Sequence, residues 1–197
     1  NMSLIASSDK KRDPIPDGMY QAVTIGVIDL GTQYNERFMN RTHKVLIMWE
    51  LPEVAITFSK DGIETTAPRV ISKKYTLSLG EKANLRKDLQ SWRGRSFTDE
   101  ELRGFDLFTI IGKNCMLQLI NESKDGKSYT NISSIMPLYK GMEVLNPVSK
   151  TLTYSLADGM NIPQDIPDWI KEVIKKSTEY TANEEFYSNN IQDDVPF

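Results

Sequence analysis

Between residues 69 and 95 the chain sets Arg69, Lys73, Lys74, Lys82, Arg86, Lys87, Arg93 and Arg95 against only two acids, Glu81 and Asp88. Aromatic rings are interleaved with these cations and with others outside the segment: Tyr75 follows Lys73-Lys74, Trp92 precedes Arg93, Phe58 precedes Lys60, and Tyr129 follows Lys127. Cations that track phosphates, together with ring faces on which bases stack, are what sequence-tolerant binding of a single nucleic-acid strand requires, each stack contributing roughly 1–3 kcal/mol. The candidate contacts are Trp49, Phe58, Lys60, Arg69, Lys73, Lys74, Tyr75, Lys82, Arg86, Trp92, Arg93, Lys127 and Tyr129. Several have a second reading. Trp49 alternates with Val45 and Ile47, and Tyr75 with Leu77 and Leu79, so each ring suits a core as well as a stacking platform.

The same inventory narrows catalysis. One cysteine, Cys115, and one histidine, His43, supply neither a disulfide framework nor a tetrahedral zinc site within one chain. His43 sits in Arg41-Thr42-His43-Lys44 at the entry of an apolar run, with no nucleophile elbow in the sequence, and reads as a strand-edge residue. The nearest enzyme-like pattern is nuclease-like, Pro16-Asp17 with Asp125-Gly126-Lys127, in which two carboxylates would hold a metal and a lysine polarise a phosphate. Asp125-Gly126 is a hairpin signal, however, and Pro16-Asp17 lies in a polar stretch. No Gly-rich phosphate loop is present. The expectation is a binding protein without cofactor or catalytic residues.

Charge is partitioned along the 197 residues. The net −3 divides into −2 over residues 1–36, +5 over 37–150 and −6 over 151–197. A basic centre with an acidic end suggests an anionic partner for the first and a separate role for the second. At 39% hydrophobic and 26% charged the composition is that of an ordinary globular protein. No apolar run approaches the roughly 20 residues of a spanning helix, and no signal-peptide pattern opens the chain, so the expectation is a cytoplasmic protein with no membrane partner. Asn1 ahead of Met2 reads as a scar of tag cleavage.

The elements that must position these residues follow from periodicity and punctuation. Residues 1–17 read as a polar arm ending in Asp13-Pro14-Ile15-Pro16-Asp17-Gly18. Strands are expected at 19–30, 44–51 and 70–79, with Val23, Ile25 and Val27 sharing one side of the first, Gly26 permitting a bend, and a long turn-rich loop over 52–69. A helix follows: Ser78-Leu79-Gly80-Glu81 fits a capping box, Leu85, Leu89 and Trp92 form its apolar stripe, and Gly94 ends it. Lys82, Arg86 and Arg93 fall roughly 70° round from that stripe, at its border. Thr98 to Glu101 fits a second capping box, and strands at 109–122 and 129–138 flank the Asp125-Gly126 turn. Residues 146–180 read as a linker and a helix from 168 to 179 with Ile166, Ile170, Val173 and Ile174 as its stripe. Residues 181–197 read as a flexible acidic tail. Three strands, a helix and two strands over 18–145 is the element order of the five-stranded OB-fold Greek-key barrel. A split α+β sheet has the same order.

Two stretches carry a family resemblance. The terminus Asp193-Asp194-Val195-Pro196-Phe197 resembles the acidic tip of bacterial single-stranded DNA-binding proteins, a run of aspartates, a branched apolar residue, proline and a C-terminal phenylalanine. A ring with a free carboxylate, stiffened by proline, suits an apolar pocket rimmed by cations. The body resembles OB-fold single-stranded DNA-binding proteins of bacteriophages in Gly18-Met19-Tyr20-Gln21-Ala22, Val27-Ile28-Asp29-Leu30-Gly31, Trp49-Glu50-Leu51-Pro52 and Ser72-Lys73-Lys74-Tyr75-Thr76. It departs from the bacterial type in its long loops, its helix at 168–179 and a short tail that is not glycine-rich. The resemblance implies coating of single-stranded DNA in phage replication or recombination inside a bacterial host and recruitment of partner proteins through the tip; it leaves a homo-oligomer open, and the departures argue against the bacterial tetramer. An OB-fold used only for protein assembly is the alternative.

Overall fold

The computed structural model describes residues 14–191. Strands β1 (Gly18–Asn35), β2 (Asn40–Lys60), β3 (Ile63–Thr76), β4 (Asn114–Lys124), β5 (Lys127–Met136) and β6 (Leu152–Tyr154) form one sheet in the order β3-β2-β1-β4-β5, with β6 added in parallel to β1. The remaining pairings are antiparallel, and the sheet curls strongly into a half-barrel, so the protein is mainly β. Helices α1 (Asn84–Arg93) and α2 (Asp99–Arg103) stand between β3 and β4, and α3 (Asp168–Lys175) and α4 (Thr178–Ile191) follow β6.

β1 is buried almost continuously from Gln21 to Gly31 because both of its faces are covered. Inside the curl, Ala22 and Val27 meet Val45, Ile47, Trp49 and Leu51 of β2, Leu117 and Leu119 of β4, and Leu85, Leu89 and Trp92 of α1. Outside it, Ile25, Ile28 and Leu30 meet Leu46 and Met48 and the C-terminal residues Ile166, Ile170 and Ile174. The expectation that Ile25 and Val27 share a face is corrected: a register shift between Thr24 and Gly26 adds a residue to β1 and reverses the alternation there. Gly26 serves close approach, since a Cβ there would meet the Met48 sulfur at 2.9 Å.

α1 packs on both β5 and β3, the two edges of the sheet, which are not paired with each other among the described residues. Its apolar stripe is the expected one, and Gly94 closes it in the left-handed region at φ 67°. Its start is not. The Ser78 hydroxyl accepts from the Gly80 amide instead of capping a helix, the chain turns once more through Gly80–Ala83, and α1 begins at Asn84 with no side-chain cap. The box at Thr98 forms with both of its hydrogen bonds.

Four further expectations change. The loop expected over 52–69 is a continuous β2–β3 hairpin, closed by Asp61-Gly62 with both φ angles positive, while a register shift between Leu51 and Ala55 carries the chain past Pro52. The segment expected as the start of a strand at Thr109 is a 3₁₀ turn, Leu107–Ile110, with β4 starting at Asn114. Ile15, placed in the polar arm, is buried in the inner core, and Asn121 holds its carbonyl and the Asp17 carboxylate. The helix expected over 168–179 is two helices, and the second continues through Ile191, into the stretch expected as a flexible tail.

Candidate nucleic-acid interface

The end of β3, the start of β2 and the turn into α1 enclose a cleft of about 480 Å³ lined by Lys44, Lys73, Lys74 and Lys82, with Thr76 and Ser78 between them. Register explains the gathering. Lys44 stands opposite Thr76 and so joins the face of β3 that carries Lys74, Lys73 lies opposite Ile47 on the Tyr75 face, both faces reach the cleft at this edge strand, and the turn after β3 brings Lys82. The Lys44 ammonium donates to the Thr76 hydroxyl at 2.8 Å. Burial, and then the charge of Lys74, hold the Lys44 pKa below the ordinary lysine value. Lys73 is paired with Asp88 at 2.7 Å and lies over the Tyr75 ring. Lys74 and Lys82 have no ion-pair partner among the described residues, and Glu81 is the acid on the cleft wall.

The turn between β1 and β2 stands at the same end of the sheet, because Asn35 pairs with Asn40 only four residues, roughly 13 Å, beyond Lys44. It exposes Tyr34 (51%), Phe38 (65%) and Met39 (79%). Both rings carry a cation: the guanidinium of Arg37 lies 5.4 Å from the Phe38 centroid, and that of Arg41 lies 5.4 Å from Tyr34. None of these five residues was a sequence-based candidate, nor was Lys44. The signal was present in Tyr34-Asn35-Glu36-Arg37-Phe38-Met39-Asn40-Arg41, an aromatic and cation alternation between two strands.

The opposite end of the sheet carries the tips of the β2–β3 and β4–β5 hairpins. Phe58 and Tyr129 are exposed there, with Lys127 beside Tyr129, Lys60 as the last residue of β2, and Arg69 half-buried on β3.

Several expected contacts belong to the interior. Trp49 is fully buried on the inner face, 6.2 Å from the Trp92 ring, and the Trp92 indole donates to the Asn114 carbonyl. Tyr75 is buried and donates its hydroxyl to Asp88, and burial, then Asp88, push its phenol far above the ordinary range. These three rings build the core and offer no face to a base. Arg93 pairs with Glu101 and stacks on Phe97 and Phe105, so it holds α2 and the following loop against α1. Arg86 donates to Gln90 and to the Leu79 carbonyl and fastens the turn before its own helix.

His43 is structural in its contacts. Its Nε2 lies 2.6 Å from Asp29 Oδ1, while the same carboxylate accepts from the Gly31 and Leu156 amides. The buried Cys115 thiol is pushed well above its ordinary value by desolvation, which removes its nucleophilic form. Among the described residues no three His, Cys, Asp or Glu side chains gather as metal ligands, and no helix is long and apolar enough to cross a membrane. The tip Asp193–Phe197 lies outside the described residues. No family model and no curated protein matches the chain.

Proposed function

We propose that this protein binds single-stranded DNA with little sequence preference and does no catalysis. The observation that carries this reading is the meeting, at one end of the curled sheet, of two exposed aromatic rings with their cations and a cleft of four lysines. Rings supply stacking that every base can satisfy, and lysines neutralise phosphates without reading sequence. The strand order β3-β2-β1-β4-β5, with α1 bridging the two edges, supports assignment of the half-barrel as an OB-type Greek-key barrel, whose β1–β2 and β4–β5 loops flank the strand path. On that assignment the turn at Asn35–Asn40 and the tip with Lys127 and Tyr129 are the two flanking loops. The protein then coats single strands during phage replication or recombination in the host cell, and the acidic Asp193–Phe197 tip recruits replication or recombination proteins.

Fluorescence polarisation with labelled dT oligonucleotide, against duplex DNA of matched length, tests the reading. Affinity for dT should fall linearly on logarithmic axes with salt, at about 0.7 in slope per neutralised phosphate. Changing Lys74 and Lys82 to Glu together should flatten that slope. No binding at low salt, or equal binding to duplex, would overturn the proposal.

A further inference from the structure

Four lysines line one cleft, and the acid on its wall is Glu81. Asp88 neutralises Lys73, while Lys44 and Lys74 stand close enough to repel and Lys82 lines the same cleft without an ion-pair partner among the described residues. Such a cluster is repulsive in the free protein: Lys44 loses part of its affinity for a proton to burial and to Lys74. A multivalent anion removes that repulsion and gains a charge-assisted hydrogen bond from each ammonium it touches. The hydroxyls of Thr76 and Ser78 line the same cavity and add neutral donors. The cleft also opens at Ala83–Asn84, where α1 starts without a side-chain cap or an acidic residue in its first turn.

We infer that the cleft formed by Lys44, Lys73, Lys74 and Lys82 is a built phosphate subsite, one that seats a phosphate group of a nucleic-acid strand apart from the rings that stack its bases. As a statement about a strand phosphate it rests on the single-strand reading, but a phosphate pocket has a behaviour of its own. It should hold a small phosphate anion that has no base to stack, where scattered surface lysines would not. The phosphate can come from a strand's 5′ end or from an internal linkage, and the chemistry of the pocket is the same for both.

The test follows the lysine side chains of the full chain, labelled with ¹³C, by NMR during titration with inorganic pyrophosphate. The Lys44 and Lys74 Cε signals should move together and saturate, while those of Lys124 and Lys127 at the far hairpin stay in place. The Lys44 pKa should rise on saturation. The double change Lys44→Gln with Lys74→Gln should weaken pyrophosphate binding by about tenfold or more, the loss of at least one charge-assisted contact. The exposed Lys74→Gln variant alone gives the same direction should the double variant lose its fold. Uniform drift of all lysines, or no movement, overturns the inference.

Two oligonucleotide arms then separate the sources. A 5′-phosphorylated dT that shifts the cleft lysines where 5′-hydroxyl dT does not assigns the strand end, and equal shifts assign an internal phosphate. If dT binds while the cleft lysines stay still in both arms, the subsite is wrong and the single-strand reading stands. If pyrophosphate seats in the cleft but dT does not bind, the single-strand reading falls and the cleft remains a phosphate pocket.

Discussion

The two faces of β1 are equally dry but closed in different ways. On the inner face the seal is apolar and comes from within the sheet and α1, with Trp49, Trp92 and Leu89 interlocked and few polar groups to satisfy. On the outer face the seal is a cover brought from the C-terminal segment, and three carboxylates fasten its margin. Glu50, fully buried, accepts the Val148 and Ser149 amides at 2.6 and 2.9 Å. Asp29 accepts the Leu156 amide, and Glu179 accepts the Thr32 amide and hydroxyl at 2.8 and 2.6 Å. A core made by the sheet itself needs only complementary shape. A cover laid on afterwards also needs its direction and register set, and carboxylates receiving backbone N–H groups do this because each bond is strong and directional.

If the inner core is what holds the sheet, Trp49→Ala should have the largest effect of any single change, about 3–5 kcal/mol in denaturant unfolding, with both faces lost in one transition. Ile170→Ala, in the outer core, should cost about 2–5 kcal/mol but lose it unevenly. Hydrogen exchange should quicken over 152–180 while β4 and α1 keep their protection. Equal loss of protection in both regions would break the distinction, and the cover would then be part of one cooperative core.

The inner core was the more readable of the two. Its residues recur at strand and helix spacing, so Leu85, Leu89 and Trp92 declared their stripe, and Gly94 and Asp125-Gly126 declared their turns through the positive φ those places require. In the outer core the helical stripe of Ile166, Ile170 and Ile174 was legible, but the strand half was hidden by two local devices. A one-residue bulge before Gly26 moves Ile25 to the face opposite Val27, and alternation counted along the chain does not see it. β6, paired in parallel with β1, is three residues long, too short to show a period of its own. The candidate site shows the same division. Lys73, Lys74 and Lys82 were visible as a charge run, whereas Lys44 joins them through strand register. Trp49 and Tyr75 had the residue type for stacking, and only tertiary packing decides that they face inward. Tyr34 lies at the end of β1 and Phe38 in the turn after it, beyond strands that extend about five residues further than their apolar runs.

Beyond the reach of both cores, an aromatic residue should behave in the opposite way from Trp49. Phe38 packs into neither cluster and is mostly exposed, so Phe38→Ala should leave unfolding unchanged. Its effect should appear in dT affinity, a loss of about 1–3 kcal/mol if the ring stacks on a base. Stability loss without affinity loss would reassign the turn as structural and weaken the proposed interface.

The smallest effect concerns the last fastening of the cover and is the one that depends on pH. Burial opposes ionisation of Glu179, but the Thr32 hydroxyl and amide, with His43 nearby, outweigh it and hold the carboxyl below its ordinary 4.5. A folded-state pKa below the unfolded one means that the native state binds the proton less readily, so the stabilisation is complete above the unfolded value and is lost as pH falls through the folded one. Glu179→Gln removes the titration and keeps the shape, replacing two charge-assisted hydrogen bonds by neutral ones, and partial exposure limits the cost to about 1 kcal/mol. The difference in stability between the parent chain and the variant should therefore be constant above the ordinary carboxyl value of 4.5 and shrink as pH falls below it. Exchange of the Thr32 amide, the proton that Glu179 accepts, reports the same difference locally. Taking the difference between two chains cancels every contribution that the two share. A gap that persists undiminished at low pH would mean that Glu179 fastens the cover by shape alone, and the contrast between an apolar seal and a charge-fastened one would fail at this end of β1.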